Sequence, residues 1–172
     1  MKTISIHMTG TTIVILITTI AIALITGLWY AYSCSVNPGL SRLSDDRYIA
    51  AMQAINRAIL NPAFFSTFLG TLVLLPLCTW LCFDRLTTGQ WALMLTASII
   101  YVVGVFGVTV LGNVPLNEAL DQFKLAGASA TEITSQRIKF EAPWNRLHTI
   151  RTTASFISLV LTIITCINYS SK

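Results

Sequence analysis

Four apolar runs, at residues 11–33, about 62–83, 91–112 and 148–167, punctuate this chain. Each is close to the ~20 residues a helix needs to cross roughly 30 Å of hydrocarbon. None shows the strict alternation of a membrane-spanning strand of about 10 residues. Inside lipid every backbone polar group needs an internal partner, and a helix supplies one within a single run. The expected fold is all-α: a four-helix transmembrane bundle, forming one membrane domain over residues 1–172. Charge agrees with this, since Asp, Glu, Lys and Arg make up 10% of the chain, against about 25% in soluble domains.

The first run is too long for a signal-peptide core, and no small-x-small cleavage site stands out. Ala31-Tyr32-Ser33-Cys34 has the outline of a lipoprotein cleavage site, but bulky Tyr32 sits inside it. The run is read as an anchor. Lys2, Arg85 and Lys172 fall on the side holding both termini, while Arg42, Arg47, Arg57, Lys124, Arg137, Lys139, Arg146 and Arg151 fall on the other. The positive-inside rule then places both long connections in the cytoplasm, although connections of that length can bury some of these charges. For a bacterial chain the membrane would be the cytoplasmic (inner) one.

Those two connections carry helical patterns of their own. Residues 34–61 open on Asn37-Pro38-Gly39, a turn signal. Ser44 then precedes Asp45 and Asp46, a helix start, and Tyr48, Met52, Ile55 and Ile59 recur every three or four residues. In the second connection Leu116, Leu120 and Phe123 keep the period after Pro115, Gly127 breaks it, and Thr131 to Phe140 reads as another short helix. Pro143 is expected to restart the chain into the fourth span. The bundle thus gains amphipathic helical extensions at one end. Trp29, Trp80, Trp91 and Trp144 fall near the ends of spans, where interfacial aromatics gather.

Polar residues at membrane depth are costly, about 2.5–3.5 kcal/mol or more for an ionised group at the midplane. Here they collect where the long connections meet the spans. Asn113-Val114-Pro115-Leu116-Asn117 closes the third run, and the proline is expected to kink or end that helix. Asn113 and Asn117, four apart, either cap the broken helix or point together into a site. Trp144, His148 and Arg151, spaced four and three, share one helix face. Taken singly, Arg151 reads as a snorkelling charge and His148 as an interfacial hydrogen bonder. Stacked together and facing the asparagine cluster, they read as a candidate site in which a neutral imidazole suits a general base.

Other chemistries find less support. There is no HxxxH, ExxH or histidine pair, so no metal site is preformed in the sequence; haem would have His148 as its axial candidate at this end. Cys34, Cys78, Cys82 and Cys166 show no CxxC or secreted-domain spacing and read as small apolar packing residues. No P-loop or nucleic-acid-binding surface is present.

The segments GLWYAYSCSVNPGL, MQAINRAILNPAFF followed by FLG, GNVPLNEAL and PWNRLHTIRTTAS occur in that order over about residues 20–165. Together they resemble the anthrone oxygenase-like family of small membrane proteins, also known as domain of unknown function 1772. Some fungal members of that family oxidise anthrones to anthraquinones. The resemblance implies functional positions at Asn56, Asn113, Asn117, Trp144, Asn145, His148 and Arg151. His148 and Arg151 would be catalytic and the others would bind substrate. It implies a small apolar aromatic or quinone-like substrate entering from lipid, dioxygen as co-substrate and no further cofactor. The oxidised carbon lies opposite a carbonyl and between two rings, so losing a proton leaves an enolate that can react with dioxygen unaided. The alternatives are a membrane protein that binds or passes a small solute, or assists a partner complex, and a haem- or metal-bearing redox subunit. Association into a homo-oligomer stays open.

Overall fold

The computed structural model describes residues 10–84 and 86–169, with side chains as far as Ile167. Lys2, His7, Arg85 and Lys172 lie outside the described residues. Five helices form the described chain: α1 (Gly10–Leu40), α2 (Asp45–Ala58), α3 (Pro62–Leu81), α4 (Thr88–Asp121) and α5 (Ala130–Tyr169). All except α2 contain a stretch long and apolar enough to cross a membrane. Leu24, Val73, Val103 and Phe156 are among the large apolar side chains exposed around the outside, a surface suited to lipid and unsuited to water. The chain is an integral membrane four-helix bundle, with a smaller helical layer over one end.

Between the spans, Ile22, Ile25, Phe68, Leu75, Met94, Tyr101 and Val105 form the apolar core. Hydroxyls supplement it, since lipid tails compete for apolar contact but not for hydrogen bonds. Thr79 and Ser98 join α3 to α4 at 2.8 Å, and Ser158 Oγ donates to the Ala97 carbonyl at 2.8 Å. Thr67, Thr71, Thr96 and Thr109 bond back to their own helix, as their type usually does. The four cysteines are free thiols, with Cys78 and Cys82 inside the core.

Glycines set how closely α4 lies on α5. A Cβ at Gly104 would come within 2.7 Å of Ala154 Cβ, and one at Gly112 within 2.9 Å of Leu147 Cδ1. That close approach delivers the C-terminal end of α4 against the middle of α5.

The spans run further than the apolar runs suggest, because three prolines expected to stop or restart helices do neither. α1 continues through Pro38 to Leu40, so the Asn-Pro-Gly segment is helical and the turn falls after it. α4 continues through Pro115 to Asp121, and α5 runs unbroken through Pro143. Thr131 to Phe140 is therefore the start of α5 and not a separate helix. A proline ring in a helix collides with the carbonyl four residues back and offers no N–H. Ahead of Pro38 and Pro115 that carbonyl belongs to Cys34 and Leu111, which lie in π-helical stretches, Tyr32–Val36 and Thr109–Asn113. The wider π turn bonds to the fifth residue back and makes room for the ring.

The layer at that end is built by α2 packing on α5 and on the last turns of α4. Tyr48, Ile49, Met52, Leu120, Phe140 and Trp144 form its core. Arg137 clamps it: the guanidinium donates to Asp45 at 3.0 Å, to Glu141 at 2.7 Å and to the Ser41 and Leu43 carbonyls. The same group lies 4.4 Å from the Tyr48 ring centroid. Gln53 Nε2 bonds the Leu120 and Phe123 carbonyls at 2.8 and 2.9 Å, satisfying the end of α4.

Candidate functional site

The helical spacing of Trp144, His148 and Arg151 puts all three on the inner face of α5, just below this layer. Trp144 and His148 lie stacked, with centroids 5.1 Å apart and planes 9° from parallel. Arg151 folds its guanidinium between two indoles, 3.9 Å from the Trp29 centroid and 5.1 Å from that of Trp144. It also donates from Nε and Nη2 toward His148 Nδ1, at 3.3 and 3.2 Å. His148 is 2% exposed and Arg151 4%. None of the ion pairs among the described residues includes Arg151. A buried cation without a carboxylate is costly, and a desolvated guanidinium on an aromatic face recovers about 2 kcal/mol.

The asparagines take part, but not as caps. Asn113 sits where the α-helical turn begins again, yet its side chain makes no capping bond. Its Nδ2 instead reaches α5 and donates to the Trp144 carbonyl at 3.3 Å. Asn117 Oδ1 accepts from Trp144 Nε1 at 2.8 Å. Both asparagines therefore hold Trp144, the indole over which Arg151 lies. Asn113 Oδ1 and Trp29 Nε1 are buried without a hydrogen-bond partner in the described structure, and each such atom costs about 1–3 kcal/mol.

The other edge of His148 faces outward. Its Nε2 lies 3.0 Å from Ser33 Oγ, on the π-helical turn of α1. Beyond it a cleft of about 290 Å³ is lined by Ser33, Asn37, Pro38, Ser41, Asn145, His148 and Thr149. Asn145 thus lies on the cleft side of the imidazole, away from Arg151. Asn56 is on α2; its Nδ2 is buried and unpartnered, and no hydrogen bond joins it to His148 or Arg151.

Three contributors from α1 were not singled out by spacing: Trp29, Tyr32 and Ser33. The Tyr32 ring lies 6.0 Å from His148 and 6.3 Å from Trp144. Trp29 reads from sequence as an interfacial tryptophan, as does Trp144, yet they are 3% and 2% exposed. Trp80, 72% exposed, behaves as expected of that class. The available signal was the spacing of Trp29 and Ser33, four apart and so on one helix face, within a segment that ends in a proline. Among the described residues no three His, Cys, Asp or Glu side chains are placed to hold a metal ion.

Fold and site together define a small integral membrane protein with a buried guanidinium–imidazole pair enclosed by aromatic rings. The sequence profile described as Anthrone oxygenase matches residues 51–161, well over half of the chain. The chain belongs to the anthrone oxygenase family. Searches of curated proteins and of solved structures return no match. The matched segment carries Asn113, Asn117, Trp144, His148 and Arg151, while Trp29, Tyr32 and Ser33 precede it.

Proposed function

We propose that the protein oxidises a flat, apolar aromatic compound of the anthrone type, using dioxygen as co-substrate. The observation that carries this reading is Arg151: a buried guanidinium with no ion-pair partner among the described residues, hydrogen-bonded to an imidazole inside an aromatic enclosure. A carbonyl oxygen entering this enclosure accepts from Arg151, which then stabilises the enolate that forms. The swap releases the Nδ1 lone pair of His148, which takes the proton from the acidified carbon. The enolate passes electrons to dioxygen, and the new C–O bond gives a peroxide that His148 protonates. Loss of the remaining C–H proton then breaks the O–O bond. One oxygen stays as the new carbonyl and the other leaves as water, so one methylene and one O₂ give one ketone and one H₂O. An apolar substrate partitions into the bilayer, which suits a site inside a membrane bundle.

The test uses purified protein in lipid nanodiscs, with anthrone as substrate. Oxygen uptake and quinone absorbance are measured above the spontaneous rate in empty nanodiscs. The parent is expected to accelerate both, and His148→Ala to lose about 10²–10⁴-fold. Binding of anthrone without any oxygen uptake would instead support a solute-binding role and sink the oxygenase reading.

A further inference from the structure

We propose that Ser33 is a positioning residue that holds His148 as the Nε2–H tautomer, keeping the Nδ1 lone pair turned inward. The inference rests on the oxygenase reading only for what that lone pair does; the tautomer follows from hydrogen-bond geometry. A guanidinium can only donate, so Nδ1, at 3.3 and 3.2 Å from Arg151 Nε and Nη2, is an acceptor. A neutral imidazole then carries its hydrogen on Nε2. Two hydroxyls lie near that atom, Ser33 Oγ at 3.0 Å and Thr152 Oγ1 at 3.4 Å. Each has one proton, and each already spends it on a backbone carbonyl. Ser33 donates to the Trp29 carbonyl at 3.1 Å, and Thr152 to the His148 carbonyl at 2.7 Å. Both therefore turn lone pairs to Nε2 and accept from it. Ser33, at the shorter distance, is the principal hydroxyl partner, and the Trp29 carbonyl that it bonds also accepts from the imidazole.

The arrangement has a directional result. The Nδ1–H tautomer would set a hydrogen against two guanidinium hydrogens, and the imidazolium would do the same. His148 becomes a usable base only when something else accepts from Arg151, and a substrate carbonyl does that. Ser33 can serve because the π-helical turn carries it to the imidazole edge at the mouth of the cleft, where it is exposed while His148 is buried.

The experiment is long-range ¹H–¹⁵N correlation on histidine-labelled protein in nanodiscs, without substrate. A His7→Gln background leaves His148 as the one remaining histidine. The parent is expected to give the Nε2–H pattern, Ser33→Ala to mix in the Nδ1–H tautomer, and Ser33→Thr to restore the parent spectrum. An Nδ1–H parent, or a Ser33→Ala spectrum identical to the parent, overturns the proposal. In oxygen uptake, Ser33→Ala should lower kcat about 10–100-fold, the range seen for hydrogen-bonded partners of metal-ligating histidines, with KM nearly unchanged and rescue by threonine. The NMR result stands without turnover. An Nε2–H imidazole that responds to Ser33→Ala supports the lock even in a protein that consumes no oxygen, and that failure counts against the oxygenase reading alone.

Discussion

The guanidinium of Arg151 lies 3.9 Å from the ring centroid of Trp29, on a helix more than a hundred residues earlier in the chain. This contact is one of three that hold a buried charge with no acidic partner among the described residues. The indole faces of Trp29 and Trp144 supply the negative electrostatic surface, and His148 Nδ1 supplies an acceptor. Because that compensation is partial, the energetic and functional roles of Arg151 separate.

Replacing Arg151 with methionine removes the buried charge and keeps the packing. Unfolding stability in detergent is expected to hold level or rise by up to about 1–4 kcal/mol, while anthrone-dependent oxygen uptake is lost. Trp29→Leu should instead lower stability by about 2 kcal/mol or more. The penalty should shrink when Arg151→Met is present, and a double-mutant cycle measures the difference. A large loss of stability in Arg151→Met alone would mark the guanidinium as structural.

Asn117→Leu leaves Trp144 Nε1 without the acceptor it now has at 2.8 Å. The expected cost is about 1–3 kcal/mol. Adding Trp144→Phe, which removes the orphaned N–H, should recover part of it. Near-additive losses would mean that the indole finds another acceptor.

At Gly104 α4 lies so near α5 that an added Cβ would come within 2.7 Å of Ala154 Cβ. Gly104→Val is expected to destabilise by about 1–3 kcal/mol through overpacking and to move Asn113 away from the Trp144 carbonyl. Ala154→Gly in the same chain should return part of the loss. Thermal unfolding followed by tryptophan fluorescence reads both.

The helical layer over the site should loosen in acid. The Thr134 hydroxyl, and then Arg137, hold the Asp45 carboxyl below its usual range. A depressed folded-state pKa means that the contribution is complete above the unfolded-state value of about 3.9. It is lost as pH falls through the lower, folded-state value. Limited proteolysis between α1 and α2 should therefore accelerate below about pH 4. Asp45→Asn should flatten that part of the pH dependence, and an unchanged acid profile in this variant would assign the loosening to other groups.

Much of the site could be read along a single helix. Trp144, His148 and Arg151 share a face by spacing alone, and Asn113 and Asn117 bond the carbonyl and the indole N–H of Trp144. Their roles were less legible. Whether an asparagine caps its own helix or reaches the next depends on whether the helix breaks, and neither Pro38 nor Pro115 breaks one. Each follows a π-helical stretch, which sequence spacing does not announce. Trp29 and Trp144 were hidden for a related reason. A tryptophan near a span end reads as interfacial until something covers it: here α2 and the extended ends of α4 and α5 cover Trp144, while Phe64 and Phe68 of α3 pack on Trp29.

By itself the sequence determined that this chain spans a membrane with four helices and carries helical extensions at one end. Hydrocarbon imposes that result through length and hydropathy, properties local to each run. The tertiary structure decided which polar groups meet: Trp29 under Arg151, Ser33 on His148 Nε2, and Asn117 on Trp144 Nε1. Those pairings join residues 27–122 positions apart. They exist because glycine contacts and π turns set the distance and register between helices, quantities that no single helix encodes.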